Sequence, residues 1–185
     1  MTIALIILAV IAAIVIGLLL YASTQPNSFR VARSATIQAP VPALHAILSD
    51  LRRGAEWSPF EKGLTMEKSY RGPATGKGAT MTWSGSKDVG AGTLTILDTT
   101  PSKLTLALDM LKPMKASNIV EYELVPQSDA TVMTWSIHGP MTMMSKIMSL
   151  FMSIDKMCGD QFEKGLRDIK ALAEREANPS SSAAA

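Results

Sequence analysis

The chain has little of what most site chemistry is built from. Of its 185 residues, one is cysteine (Cys158) and two are histidine (His45 and His138). A single thiol excludes an internal disulfide and leaves the redox compartment open. Two imidazoles and one thiol cannot complete a zinc site unless carboxylates join them, and no HExxH spacing exists. Aromatics make up 5% of the chain, do not interleave with basic residues, and accompany a formal charge of only +2. That excludes the basic footprint of a nucleic-acid binder. No internal repeat is visible. The glycine-rich run Gly72-Pro73-Ala74-Thr75-Gly76-Lys77-Gly78 is one residue short of a phosphate loop. Gly78 also stands where Ser or Thr would hold magnesium, so the run reads as a hairpin turn.

Charge is also missing from the first segment. Residues 3–22 carry none, and only Gly17 and Tyr21 interrupt the aliphatic run. Twenty residues at about 1.5 Å each reach roughly 30 Å, the thickness of a bilayer's hydrocarbon core. A helix apolar on every face has no side to show to water, and Tyr21 suits the headgroup zone. A cleaved secretory signal is the alternative. It wants a basic stretch before a shorter run and a small-residue cleavage site. Met1 and Thr2 supply no base, so the reading is a single-pass anchor over 1–25. Arg30 and Arg33 follow closely, and the positive-inside tendency then puts the remaining domain in the cytoplasm.

What is present after the anchor is about 150 residues, enough for one domain with a substantial core. Residues 178–185, rich in Ser and Ala, read as a disordered tail. The domain, 26–177, opens with a strand over 29–38, closed by Pro40 and Pro42, and a short helix over 41–53 with Leu44, Ile47, Leu48 and Leu51 on one face. After the break Trp57-Ser58-Pro59-Phe60 come six candidate strands, at 64–71, 79–84, 92–98, 103–110, 117–126 and 131–138. Short connections rich in Gly, Pro, Ser and Asp make them antiparallel neighbours. Period-two alternation then marks one dry face. Met81 and Trp83 oppose Thr80 and Thr82. Leu106 and Leu108 oppose Thr105 and Asp109, Val120 and Tyr122 oppose Glu121 and Glu123, and Met133 and Trp135 oppose Thr134 and Ser136. The cover is helical spacing from Met144 through Ile147, Met148, Phe151, Cys158, Phe162, Leu166 and Ile169 to Ala173, with a break expected near Gly159.

Elements in that order resemble the START-related superfamily, which includes polyketide cyclases and birch-pollen-allergen proteins. Three stretches carry the likeness: 33–40 with Trp57-Ser58-Pro59-Phe60-Glu61, 130–136 leading into Gly139-Pro140-Met141, and Asp155-Lys156-Met157 with Phe162-Glu163-Lys164-Gly165-Leu166. They look like the bacterial branch labelled polyketide cyclase or dehydrase-like. The resemblance implies an α+β helix-grip fold, a seven-stranded antiparallel sheet wrapped on a long C-terminal helix. It also implies a deep apolar cavity between sheet and helix, used by many members for lipids, sterols, quinones or polyketides. It conveys no shared catalytic signature.

The expected ligand-binding residues are therefore Trp57 and Phe60 from the opening segment, and Met81, Trp83, Leu106, Leu108, Val120, Tyr122, Met133 and Trp135 from the sheet. Met144, Met148, Phe151 and Phe162 join them from the helix. Six of the twelve methionines fall between Met141 and Met157, a flexible lining that would adapt to varied apolar guests or fill an irregular core. No catalytic constellation emerges. His45 and His138 are expected to face water, Cys158 to be a packed inert thiol, and Glu56 and Glu61 to be surface charges near the cavity mouth. Tyr122, inward by parity, is the best candidate for chemistry. The expected function is binding of a lipid-like or other hydrophobic small molecule at the membrane, with no cofactor and no metal. The alternatives are a cyclase- or dehydrase-type enzyme using the same cavity, and an interaction domain with a filled core.

Overall fold

The computed structural model describes residues 2–178. The tail expected at 178–185 thus lies, apart from Asn178, outside the described residues. Helix α1 (Thr2–Thr24) precedes β1 (Ser28–Ile37), and only Gln25, Pro26 and Asn27 separate them. Pro40 then caps α2 (Val41–Ser49), whose second residue is Pro42, where a missing N–H costs nothing. The helix expected over 41–53 is broken at Asp50. Its carboxylate accepts from Arg52 N at 2.9 Å and starts a 3-10 turn (Leu51–Arg53), which runs into the single-turn α3 (Gly54–Trp57).

Strands β2 (Met66–Arg71), β3 (Thr80–Gly85), β4 (Ala91–Thr100), β5 (Lys103–Lys112), β6 (Ala116–Gln127) and β7 (Ala130–Pro140) follow. With β1 they form one seven-stranded sheet, in the order β1-β7-β6-β5-β4-β3-β2. Every pairing is antiparallel. All seven expected strands are present, with ends shifted by a few residues. β1 closes against β7 across the sequence because the hydrogen-bonded register Val31–Ile137 and Ala35–Met133 puts both strands' apolar residues on one face.

The C-terminal cover differs from the expectation. Thr142 caps α4 (Met143–Ser149), and the break comes at residues 150–153. Ser153 then caps α5 (Ile154–Ala177) by accepting from Lys156 N. Gly159 is not a break. It is buried inside α5, where an added Cβ would collide with the Arg33 guanidinium. Helix α5 buries Phe162, Gly165, Leu166, Ile169, Leu172 and Ala173, one face at helical spacing. It lies along β1 and beneath α2 and α3.

Polar bonds fasten this seam. Arg33 grips Asp155 with both terminal nitrogens, at 3.0 and 2.9 Å, and Glu163 with Nε at 3.2 Å. Lys170 Nζ donates to Thr36 O and Gln38 N to Glu174, so main-chain groups at β1's edge find partners on the helix. Inside, the fully buried Thr131 hydroxyl donates to Ala39 O at 2.7 Å.

Candidate functional site

The concave face of the sheet and the inner face of α5 enclose an aromatic nest. Trp135, from β7, stacks on Phe162, from α5, with centroids 4.4 Å apart. Trp57 and Tyr122 meet the same indole edge-on at 5.4 and 5.5 Å, and Phe60 closes the outer side at 6.1 Å. Gly165 lets the helix backbone reach the Trp135 ring, because an added Cβ there would sit inside van der Waals distance of it. Edge-to-face and stacked contacts of this kind are favourable beyond the area they bury.

The rings fill most of the space the resemblance reserves for a guest. Beside them is a cavity of about 40 Å³, bounded by α2, α3 and the sheet and lined by Trp57, Glu61, Leu94, Tyr122 and their neighbours. That volume admits a few waters at most, whereas drug-sized ligands need roughly 300–1,000 Å³. Indole and phenyl groups stand in the space between sheet and helix where the family likeness implies a deep cavity. A larger space, an open groove of about 670 Å³, lies elsewhere, against Arg30, Ile119 and His138 and the adjoining strand ends.

The small cavity is more polar than its surroundings. Glu61 is 8% exposed, and its Oε2 lies 2.6 Å from Lys68 Nζ. Gly54 makes room for that carboxylate, since a Cβ at this position would collide with it. Burial, and secondarily the charge of Glu61, push the Tyr122 phenol above its ordinary ionisation range. Two further donors, Trp57 Nε1 and Trp135 Nε1, are buried with no hydrogen-bond partner among the described residues.

Of the expected site residues, Trp57, Met81, Leu106, Val120, Tyr122, Met133, Trp135 and Phe162 are buried together in one core. Trp83 and Leu108 pack partly buried against it, and Phe60 is half-exposed at its edge. Met144, Met148 and Phe151 do not join them. They stand on α4 and the turn after it, 59%, 40% and 73% exposed. The helical period was right for these three but had no direction, and the break at 150–153 turns α4 away from the sheet.

Glu61 is the second correction, a wall of the interior and not a surface charge. The signal was in β2, where Lys68 shares parity with Met66 and Tyr70 on the inward side; a cation there requires a buried anion. Glu56 is an outer charge, held by Arg53, whose hydrogen bond lowers its carboxyl pKa. His45 is half-buried and meets Thr99 Oγ1 at 2.8 Å, and His138 is half-buried beside the outer groove with Nδ1 shielded. Burial first, then Asp155, pushes the Cys158 thiol up, which matches an unreactive packed cysteine. Among the described residues no cluster of His, Cys, Asp and Glu could hold a metal ion.

A seven-stranded antiparallel sheet gripping a long C-terminal helix defines the helix-grip class. Solved structures share it at low identity. A protein from Chromobacterium violaceum matches with TM-score 0.57 and 16% identity, over 81% of this chain and 99% of its own. Major latex-like protein 151 from Panax ginseng gives 0.56 and 14%, over 80% and 99%. The di-domain ARO/CYC StfQ from the steffimycin biosynthetic pathway gives 0.59 and 14%, over 82% of this chain and 52% of that one. A search of curated proteins found no match. The family described as polyketide cyclase / dehydrase and lipid transport matches residues 28–174, and the chain belongs to it.

Outside the matched region, α1 is the one helix among the described residues long and apolar enough to cross a membrane. A signal sequence passes the same test of length and composition. A soluble core helix would be mostly buried, and α1 is exposed along its length apart from Ala22.

Proposed function

We propose that the chain is a membrane-anchored binding domain for an apolar, lipid-like small molecule that carries a hydrogen-bond acceptor. The guest enters between the Trp57–Phe60 segment and the sheet. The observation that carries this reading is the pair of partnerless indole N–H groups on Trp57 and Trp135. Leaving one donor unsatisfied in a core costs about 1–3 kcal/mol, and native structures keep few such groups without a reason. Two of them on rings in contact, beside the Tyr122 phenol, describe a greasy site that an oxygen acceptor would complete. Half-exposed Phe60 supplies the movable wall, and the positive φ of Gly63 lets the chain turn sharply just beyond it.

The anchor is α1. Ser23 and Thr24 fold their hydroxyls back onto the carbonyls of Leu20 and Tyr21, satisfying helix-end acceptors where water is scarce. With Arg30 and Arg33 after the span, the domain faces the cytoplasm. Tethering beside the bilayer raises the effective concentration of any guest that partitions there.

A second reading, an enzyme of the cyclase or dehydrase type, is favoured by Tyr122 and Glu61 lining one cavity. Native mass spectrometry of residues 26–185 after incubation with membrane extract tests the first reading. A stoichiometric adduct that quenches tryptophan fluorescence is expected, with affinity falling about five- to tenfold in Trp57→Phe if the indole donor contributes about 1 kcal/mol or slightly more. Absence of any adduct, with fluorescence unmoved, refutes it. Chemical conversion of the bound guest by the parent, lost in Tyr122→Phe, would favour the second reading, and a guest recovered unchanged favours the first.

A further inference from the structure

Helix α4 is amphipathic the wrong way round for a water-soluble domain. Met143 and Met144, Ile147 and Met148, then Phe151 and Met152 recur four residues apart. The helix ends at Ser149, but the turn after it keeps the same winding, since Met152 N donates to Met148 O at 3.0 Å, and the six side chains share one side. Five of them are exposed and Ile147 is partly so. The polar side faces the connector between α1 and β1. Ser145 and Ser149 are half-buried there, and Lys146 is 5% exposed with Nζ 2.7 Å from Asn27 Oδ1.

Two further observations fix the surroundings of that apolar side. Helix α4 packs against α1, which places its exposed methionines close to the end of the proposed span without their being covered by it. Three intervening residues, at roughly 3.3–3.6 Å per step, also hold the start of β1 within about 14 Å of the end of α1. Met141 N, donating to Asn27 O at 2.8 Å, and Lys146 tie the root of α4 to that same short connector. An apolar helix face beside the emerging end of a span lies in the headgroup–acyl boundary.

We propose that α4 and the turn through Met152 form an interfacial element, which lays its Met/Phe face into the same bilayer that α1 crosses and fixes the domain against the membrane. Flexible, polarizable thioethers suit so irregular a surface. The inference rests on α1 being a membrane span, and its test must report on α1 separately.

The full chain carrying Cys158→Ser is reconstituted in phosphatidylcholine–phosphatidylglycerol vesicles. A nitroxide is placed singly at Met148→Cys, Phe151→Cys, Ala12→Cys or Asp129→Cys. Collisions with oxygen and with a water-soluble nickel chelate are read by power saturation. The expected result is loss of nickel collisions with oxygen collisions retained at 148 and 151, approaching the label at 12, while the label at 129 stays nickel-accessible. Nickel access at 148 and 151 equal to that at 129, with 12 still deep, overturns the interfacial role and leaves the span intact. Shielding from both reagents at 148 and 151 means burial against protein, such as a second copy, and overturns it as well. Nickel access at 12 overturns span and interfacial helix together.

Discussion

Adding one methyl group at Gly165 tests whether α5 lies against the Trp135 ring. In an open helix interior, Gly→Ala stabilises by about 0.8–1.0 kcal/mol. Here the new Cβ would stand 2.9 Å from Pro59 Cδ and 3.3 Å from Trp135 Cη2, and closer still to Trp135 Cζ3, where carbon pairs prefer about 3.5–4.0 Å. The indole has no easy retreat, because Phe162 stacks on it at 4.4 Å and Trp57 and Tyr122 abut it at 5.4 and 5.5 Å. Overpacking of this kind costs about 1–3 kcal/mol, so the net loss is about 1 kcal/mol, or about 2–4 °C in Tm for a domain of this size. Gly159, on the same helix, is the control. Its added Cβ meets the guanidinium of Arg33, the end of a long side chain that can swing away from exposed ion pairs worth little. Helix propensity then wins, and Gly159→Ala leaves Tm unchanged or higher. Thermal unfolding of residues 26–185, followed by near-UV circular dichroism, compares the two. A Gly165→Ala Tm at or above the parent, or a larger loss at Gly159, would refute the packing described for α5.

Lys68→Met strands the Glu61 carboxylate in the interior. Breaking a fully buried pair costs about 3–5 kcal/mol, and the 19% exposure of the Lys68 side chain brings this toward about 2–3. Glu61→Gln combined with Lys68→Met recovers most of the loss in urea midpoint, and a single variant as stable as the double contradicts the buried pairing. Tyr122 makes a prediction in alkali. Its pKa is raised above the ordinary 10.0, by burial first and by Glu61 second, so above about pH 10 the unfolded chain releases this proton while the folded one keeps it. Stability from this group is therefore full below about pH 10 and declines as pH rises. Tyr122→Phe flattens the decline in urea-unfolding free energy between about pH 9 and pH 11 relative to the parent, and parallel curves would show that the phenol is not so buried.

The sheet was legible because its strands alternate cleanly. Leu104, Leu106, Val120, Tyr122, Met133 and Trp135 are inward by parity in the sequence and buried in the structure. Parity gives direction and not volume. Nothing in the spacing says that Trp57, Trp135 and Phe162 meet one another and fill the space between sheet and helix, since that depends on contacts between residues far apart in sequence. The helical run from Met144 to Ala173 read as continuous across residues 150–153 because both halves keep a 3.6-residue period, and the interruption carries neither Gly nor Pro. Its marker was subtler, Ser153 followed by Asp155, a capping residue with an acid in the first turn. Gly159 misled because a glycine inside a helix suggests a break, whereas here it yields space to Arg33. For α4, periodicity found the apolar side correctly but could not tell whether protein or membrane covers it.

The interior's equipment bears on which of the two functional readings is the stronger. It offers three donors, the Trp57 and Trp135 indoles and the Tyr122 phenol, and one carboxylate already committed to Lys68. A phenol whose ionisation is pushed upward is a hydrogen-bond donor at neutral pH and a poor base. Glu61 Oε2 is held by Lys68 Nζ in a charge-assisted bond at 2.6 Å. Donors in excess, with the one base tied down, suit holding a carbonyl or hydroxyl oxygen in a greasy setting better than removing a proton from carbon. A guest that draws Lys68 onto its own anionic group would free Glu61, and proton abstraction would then become available in the cavity that Tyr122 already lines.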